Sequence, residues 1–364
     1  TYVLGDPQAP FAAVMKLLAS YDLLAADGHL RPDVELISIG DQFDYDLTAP
    51  DVSRAEGLAV LRWLAAHPPE QVRLIVGNHD AARVVELALV DDRAFAEART
   101  LAWSIEATKR AKGRAAAANE RAAAEFAPRF PSISTYALAA RDYASFSVEQ
   151  RSLVVELMLA GRFHLGLTGA LPDGRDVLIT HAAVTEREVD RLGVAAEPAP
   201  LAAALERLLA AAIAARRDDW QRGTITPLSL EPVSQAGAPG EEAGGLLAHR
   251  PANPGRPGSD RAWELDPVRP RRFHPGELPI GLTQVAGHTN HTMCARELVP
   301  WVTPRALAAR HAGIRTLRAG ATITYDLGVL PPADGVADLI LIDGELRDPA
   351  NRAELLPVVL RSPR

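Results

Sequence analysis

Short apolar runs recur along the chain, and most stop abruptly at a polar cluster. "TYVLGD" (1–6) ends on Asp6, "VELISIGD" (34–41) on Asp41, and "VRLIVGNHD" (72–80) on Asn78, His79 and Asp80. "DVLITHAA" (176–183) carries His181, and "LTQVAGHTNH" (282–291) ends on His288, Asn290 and His291. Runs of this kind read as strands buried on both faces. "ATITYDLG" (321–328) and "ADLILIDGEL" (337–346) add two more, expected to close the sheet in a more antiparallel way. Between the first three runs lie "FAAVMKLLASYDLLAADG" and "VSRAEGLAVLRWLAAH", which read as helices. A β-α-β-α-β order predicts parallel strands joined by crossover helices.

Two insertions interrupt this scaffold. Residues 84–165 are rich in alanine and arginine and mostly helical by period and propensity. Residues 186–281 begin as helix and become "PVSQAGAPGEEAGGLLAHRPANPGRPGSD", a composition typical of lids and binding loops. The scaffold is then 1–83, 166–185 and 282–346, and residues 1–364 read as a single α/β domain whose helical insertions form a cap.

Composition narrows the picture. Apolar residues make up 48% of the chain, ample for a buried core, and the net charge of −7 argues against a nucleic-acid partner. Cys294 is the only cysteine, so neither an intrachain disulfide nor a thiolate zinc cluster can form. A reducing, cytoplasmic setting is the expectation, supported by an opening stretch without signal-peptide character. The most apolar helical stretch, "APLAAALERLLAAAIAARR", carries Glu206 and Arg207 in its middle and reads as a packed helix rather than a membrane span.

In open parallel sheets, ligands bind outside the carboxyl ends of the strands. Any one polar cluster there can be a turn or a helix cap, and a lone histidine is commonly structural. Five clusters at five strand ends would meet on one rim. Carboxylate, amide and imidazole together suit borderline divalent cations.

The stretches "GDPQ" (5–8), "GDQFD" (40–44), "GNHD" (77–80), "TH" (180–181) and "GHTNH" (287–291) resemble, in order, the motif series of the calcineurin-like metallophosphoesterase superfamily. The likeness covers residues 1–83, 176–185 and 282–346. It implies an α/β sandwich of four-layer type, with mostly mixed and parallel sheets, and a two-metal centre that hydrolyses a phosphomonoester or phosphodiester. Carried over to this chain, Asp41 would bridge both ions, with Asp6 and Gln8 on one and Asn78, His181 and His288 on the other. His79 would face substrate as a proton donor, held by Asp44. The expected ions are manganese first, with iron, zinc, nickel or magnesium as alternatives, and the expected partner is a small phosphorylated substrate, nucleotide-like chemistry being one candidate. Gly77 is expected to let the chain turn sharply, and Asp80 to serve that turn or cap a helix.

The chain departs from the pattern at two motifs. Gln8 stands where histidine is usual, and the second histidine of the last motif is replaced by Asn290, with His291 one residue later. Either Asn290 is the ligand or a bulge brings His291 in; imidazole, the commoner ligand, favours His291. Tyr45 and Val76 occupy places where protein serine/threonine phosphatases carry arginines. Arg83, Arg271 and Arg272 are candidates for substitute phosphate clamps, and Trp263 and Phe273 for stacking a base. A second reading is a catalytically degenerate member that binds a nucleotide or a protein, motivated by Gln8 and the irregular "GHTNH". A third, a nuclease, is weighed down by the acidic balance.

Overall fold

Three apolar strands, Tyr2–Leu4, Leu36–Ser38 and Val72–Ile75, pair in parallel, with Tyr2 opposite Leu36 and Leu36 opposite Val72. Because the register is level, the loops leaving them emerge side by side. Helices Phe11–Ser20 and Pro50–Ala65 make the crossovers. Phe163–His164 adds a parallel strand at one edge, and Leu356–Pro357 an antiparallel one at the other. The computed structural model describes residues 1–108, 114–255, 270–347 and 353–361.

A second sheet runs in the order Ile323–Leu327, Arg315–Ala319, Ala337–Leu341, Thr283–Ala286, Asp176–Ile179, Leu167–Ala170, Val359–Leu360. Its three central strands are parallel, and antiparallel pairs flank them. Val3, Ile37, Ile39 and Ile75 from the first sheet meet Val177, Ile179, Val285 and Ile340 from the second in one apolar layer. Alternate residues turn the other way, as strand period requires. Leu4, Leu36 and Leu74 pack with Val14, Leu18, Val60 and Leu61 of the crossover helices. On the far face Ala286, Leu339 and Leu341 pack with Cys294 and Leu298. The result is an α/β sandwich in which helices cover the outer faces of both sheets. Among the described residues, no helix is long and apolar enough to cross a membrane.

Parts of the segments expected to be insertions pack onto the two sheets. Within 84–165, helix Val148–Leu159 packs Val154 and Met158 onto the first sheet and leads into its strand Phe163–His164. Only the part before it has a separate core, built on Phe95, Ile105, Phe126 and Phe146. Within 186–281, helix Pro198–Ala214 packs along strands Leu167–Ala170 and Asp176–Ile179, as part of a layer rather than an ornament. Arg315–Ala319 inserts between two expected strands, and the chain beyond 346 contributes an edge strand to each sheet. Strands this short carry little period of their own, and their pairing is decided by distant partners.

Candidate metal centre

The expected strand ends converge. Asp6, Asp41, Asn78 and His79 follow three strands of the first sheet, while His181 and His288 follow two strands of the second. Asp41, Asp44 and His288 adopt φ of 60°, 68° and 62°, left-handed conformations that non-glycine residues adopt at a cost. Gly77, by contrast, has an ordinary extended backbone, with φ −90° and ψ 169°. Its freedom to turn is unused, which corrects the sequence expectation. What matters is its missing side chain, since a Cβ there would fall against Asp41 Oδ1, and one at Gly287 would fall against Asp6 Oδ1. Gly77→Ala is therefore expected to destabilise the fold by about 1–3 kcal/mol, the scale of overpacking, and to weaken metal binding. Thermal melting and metal titration of the variant check this, and unchanged values in both would refute it.

Asp41, His181 and His288 each offer a ligand atom, all within 4.8 Å of one another. His181 Nε2 stands 3.1 Å from Asn78 Oδ1, 3.2 Å from His288 Nδ1 and 3.5 Å from Asp41 Oδ2. Donor atoms about 2.0–2.2 Å from a divalent cation lie roughly 2.8–3.6 Å from each other in octahedral or tetrahedral arrangement, so this spacing fits one. His181 Nδ1 lies 2.9 Å from the Ile39 carbonyl, to which it donates; that fixes the tautomer and leaves the Nε2 lone pair for a metal. Burial lowers the pKa of both imidazoles, well below the usual range for His288, so both are neutral, as ligands must be. A buried cluster of one aspartate and two histidines that can bind a metal is thus present.

His79 stands beside this cluster with its own support. Its Nδ1 lies 2.9 Å from Asp44 Oδ2, its backbone N–H donates to Asp41 Oδ1 at 2.9 Å, and its Nε2 lies 3.8 Å from Asp41 Oδ2. Burial works against the imidazolium, but Asp41 and Asp44 outweigh it and raise the pKa above the ordinary value. Asp44 is held in turn by Arg83 at 2.7 Å and by the N–H and hydroxyl of Ser145 at 2.8 and 2.6 Å. Burial alone would raise the Asp44 pKa, yet Arg83 and His79 drive it far below the usual carboxylate range.

Arg83 and Asp44 are both fully buried, so Arg83→Met is expected to cost about 3–5 kcal/mol by stranding a carboxylate. Because the folded Asp44 pKa is depressed, its stabilising effect is complete above roughly pH 4 and is lost as pH falls towards the folded value. Chemical denaturation of wild type and variant between about pH 5 and pH 2, where that loss falls, should show the gap narrow with acid. A gap independent of pH would contradict the pairing. Arg83, a candidate phosphate clamp by sequence, is fully buried and engaged with Asp44 and Gln150.

The remaining expected ligands are placed less uniformly. Asp6 accepts the His288 N–H on both oxygens, at 3.1 and 2.9 Å. Burial, then Asp343 and Asp41, push its pKa well up, which marks a group of buried carboxylates short of positive charge. Asp343, at the end of Ala337–Leu341, was not anticipated, although an Asp after an apolar run was visible in "LIDG". Gln8 is half-buried, and its amide nitrogen donates to the Phe43 carbonyl at 2.8 Å. His291 is not brought into the cluster. Its Nδ1 lies 2.9 Å from the Tyr325 hydroxyl and its Nε2 3.0 Å from the Ala309 carbonyl. Asn290 caps helix His291–Glu297 by accepting the Met293 N–H, and it donates to Glu345. Asp80 does more than cap a turn, since it accepts from the N–H groups of Gly77, Asp41 and Gln42 and so ties two site loops together.

A cavity of about 60 Å³ opens beside the cluster, lined among others by Asn78, His79, Arg250, Arg271 and His288. Arg250, whose Nε donates to the His288 carbonyl at 3.3 Å, had no sequence signal, since it lies in the proline- and glycine-rich insertion. Arg271 pairs with Glu242, and Arg272 lies 3.9 Å from Glu297. Phe273 is buried against His249, in the core rather than over a ligand. Trp263 lies outside the described residues.

No family model matches the chain, and no curated protein does. Among solved structures it is similar to one titled as a cold-active protein tyrosine phosphatase, at 13% identity and a TM-score of 0.32. That alignment covers 79% of this chain and 64% of the other, so the chain spans less than two thirds of that protein's length.

Proposed function

We propose that the chain is a metal-dependent phosphoester hydrolase of the calcineurin-like metallophosphoesterase type, acting on a small phosphorylated substrate in the cytoplasm. One observation carries this reading: Asp41, Asn78, His181 and His288 present ligand atoms at metal spacing beside an imidazole oriented by a buried carboxylate. On the proposal, Asp41, Asn78, His181 and His288 would hold one ion, and Asp41 and Asp6, with Gln8 and Asp343 nearby, would hold a second. Divalent cations held there, manganese first, would supply a nucleophile at neutral pH and neutralise charge developing on phosphoryl oxygens.

The chain's own residues do the rest. Arg250 and Arg271, lining the small cavity, receive the anionic phosphoryl group. His79 donates its Nε2 proton to the oxygen of the departing alcohol as the P–O bond breaks. Asp44 accepts from Nδ1 throughout, keeping Nε2 as the donor, and Arg83 and Ser145 hold Asp44 still. Incubating the purified protein with manganese and 1-naphthyl phosphate tests the reading, with hydrolysis abolished by a chelator and restored by metal. Absence of hydrolysis with metal bound would overturn it.

A second reading, a degenerate binding module, is favoured by one feature. Asn290 and His291 are both engaged elsewhere, which leaves the first metal site with oxygen ligands alone. Elemental analysis separates the two: about two ions per chain is expected for the hydrolase, and none after manganese incubation would favour degeneration.

A further inference from the structure

A second, larger chamber of about 460 Å³ adjoins the phosphoryl cavity, and Asn78, Tyr143, Ala243 and Ala248 line both. Its volume falls within the range of small-molecule pockets. Val85, Tyr143, Leu230 and Leu247 make its walls mostly apolar. Polar side chains interrupt those walls, among them Asn78, Thr226, Ser229, Glu231, Ser234 and Gln235, and two more, Glu86 and Arg216, carry an unpartnered buried atom. Glu86 lines the chamber with Oε2 buried and without a hydrogen-bond partner, and Arg216 lines it with Nε in the same condition. No salt bridge joins them among the described residues. An unpartnered buried carboxyl oxygen is costly unless something else satisfies the group.

We propose that this chamber receives the alcohol half of the substrate, and that this alcohol is a ring system carrying a hydrogen-bond donor that meets Glu86. The assignment rests on the hydrolase reading and deepens it. The apolar walls and the edge-on contact of Tyr143 with His79, at 5.1 Å between ring centroids, place a flat group next to the proton donor. A flat ring covers the apolar surface of Val85, Leu230 and Leu247, which a glycerol-like alcohol leaves bare. Burial pushes the Glu86 carboxyl up to about 7, so near neutral pH the group is divided between its neutral and ionised forms, and both keep a carboxyl oxygen that accepts a hydrogen bond. A neutral amino or ring N–H can donate to either form.

The test uses the full chain and three free alcohols, 5-amino-1-naphthol, 1-naphthol and glycerol, titrated against metal-stripped protein by naphthol fluorescence and calorimetry. The expectation is that both naphthols bind and glycerol does not, and that the amino compound binds about tenfold tighter than its parent. Glu86→Leu should erase that preference while keeping naphthol binding. Ala243→Phe, at the junction of the two cavities, should weaken both naphthols by roughly tenfold. Thermal melting checks that each variant is folded.

Absence of naphthol binding to folded wild type, or an amino preference that survives Glu86→Leu, overturns the inference. Hydrolysis of 1-naphthyl phosphate without naphthol binding overturns it alone and leaves the hydrolase reading intact. Naphthol binding with no hydrolysis in the metal-loaded protein overturns the hydrolase reading, and with it the leaving-group role.

Discussion

Asp41→Asn is expected to reduce hydrolysis by about a thousandfold or more, because the proposed site loses the anion shared between two cations. The scale is that of several kcal/mol of charge stabilisation, at about 1.4 kcal/mol for each factor of ten. The substitution is a clean one. Asparagine has the shape of aspartate, tolerates the left-handed φ of 60° found at this position, and still offers Oδ1 to the His79 N–H. Folding should survive while metal content drops, as elemental analysis of variant and wild type will show. A variant that retains both its full complement of metal and its rate would remove Asp41 from the centre.

His79→Ala is expected to lower kcat by roughly 10²–10⁴, the range for loss of a general acid, while leaving metal content unchanged. The loss should depend on the leaving group. An alkyl alcohol departs poorly without a proton and should suffer most, whereas nitrophenolate departs as an anion and should suffer least. The pH profile carries the same signature. Asp41 and Asp44 raise the His79 pKa against the opposing effect of burial, so the acid form is present below that raised value and lost as pH climbs through it. Wild-type kcat with an alkyl phosphate should therefore fall on the alkaline side, and this limb should vanish in the variant. Equal losses for alkyl and nitrophenyl esters, or an unchanged alkaline limb, would assign His79 another role.

Both residues stand out in the sequence, whereas the contacts that support them do not. Asp41 and His79 were visible because each follows an apolar run that can only be a buried parallel strand, and such strands deliver their carboxyl ends to a common rim. The supporting contacts were harder to see. Ser145 lies 101 residues from Asp44, and Arg83 reaches the same carboxylate from beyond the end of a short helix. Nothing local in "DYASFS" distinguishes Ser145 from any other loop serine.

The last motif shows the limit most sharply. Residue type favoured His291 over Asn290 as a ligand, but helix His291–Glu297 begins at that point and needs a cap. Asn290 accepts the Met293 N–H, and the first helical residue, His291, reaches Tyr325 and Ala309 instead. A local demand of the helix terminus outranked the demand of a metal.

What the sequence by itself determined is the β-α-β-α-β core and the strand ends bearing Asp6, Asp41, Asn78, His79, His181 and His288, since strand period and strand-end chemistry are properties of a few neighbouring residues. Only the tertiary structure decided that Arg250 and Asp343 join them, that His291 does not, that Gly77 is needed for closeness and not for turning, and that a mostly apolar chamber with Glu86 lies alongside. Those outcomes depend on which distant segments come within a few ångströms of each other, and pairing across such separations leaves no periodic trace in the chain.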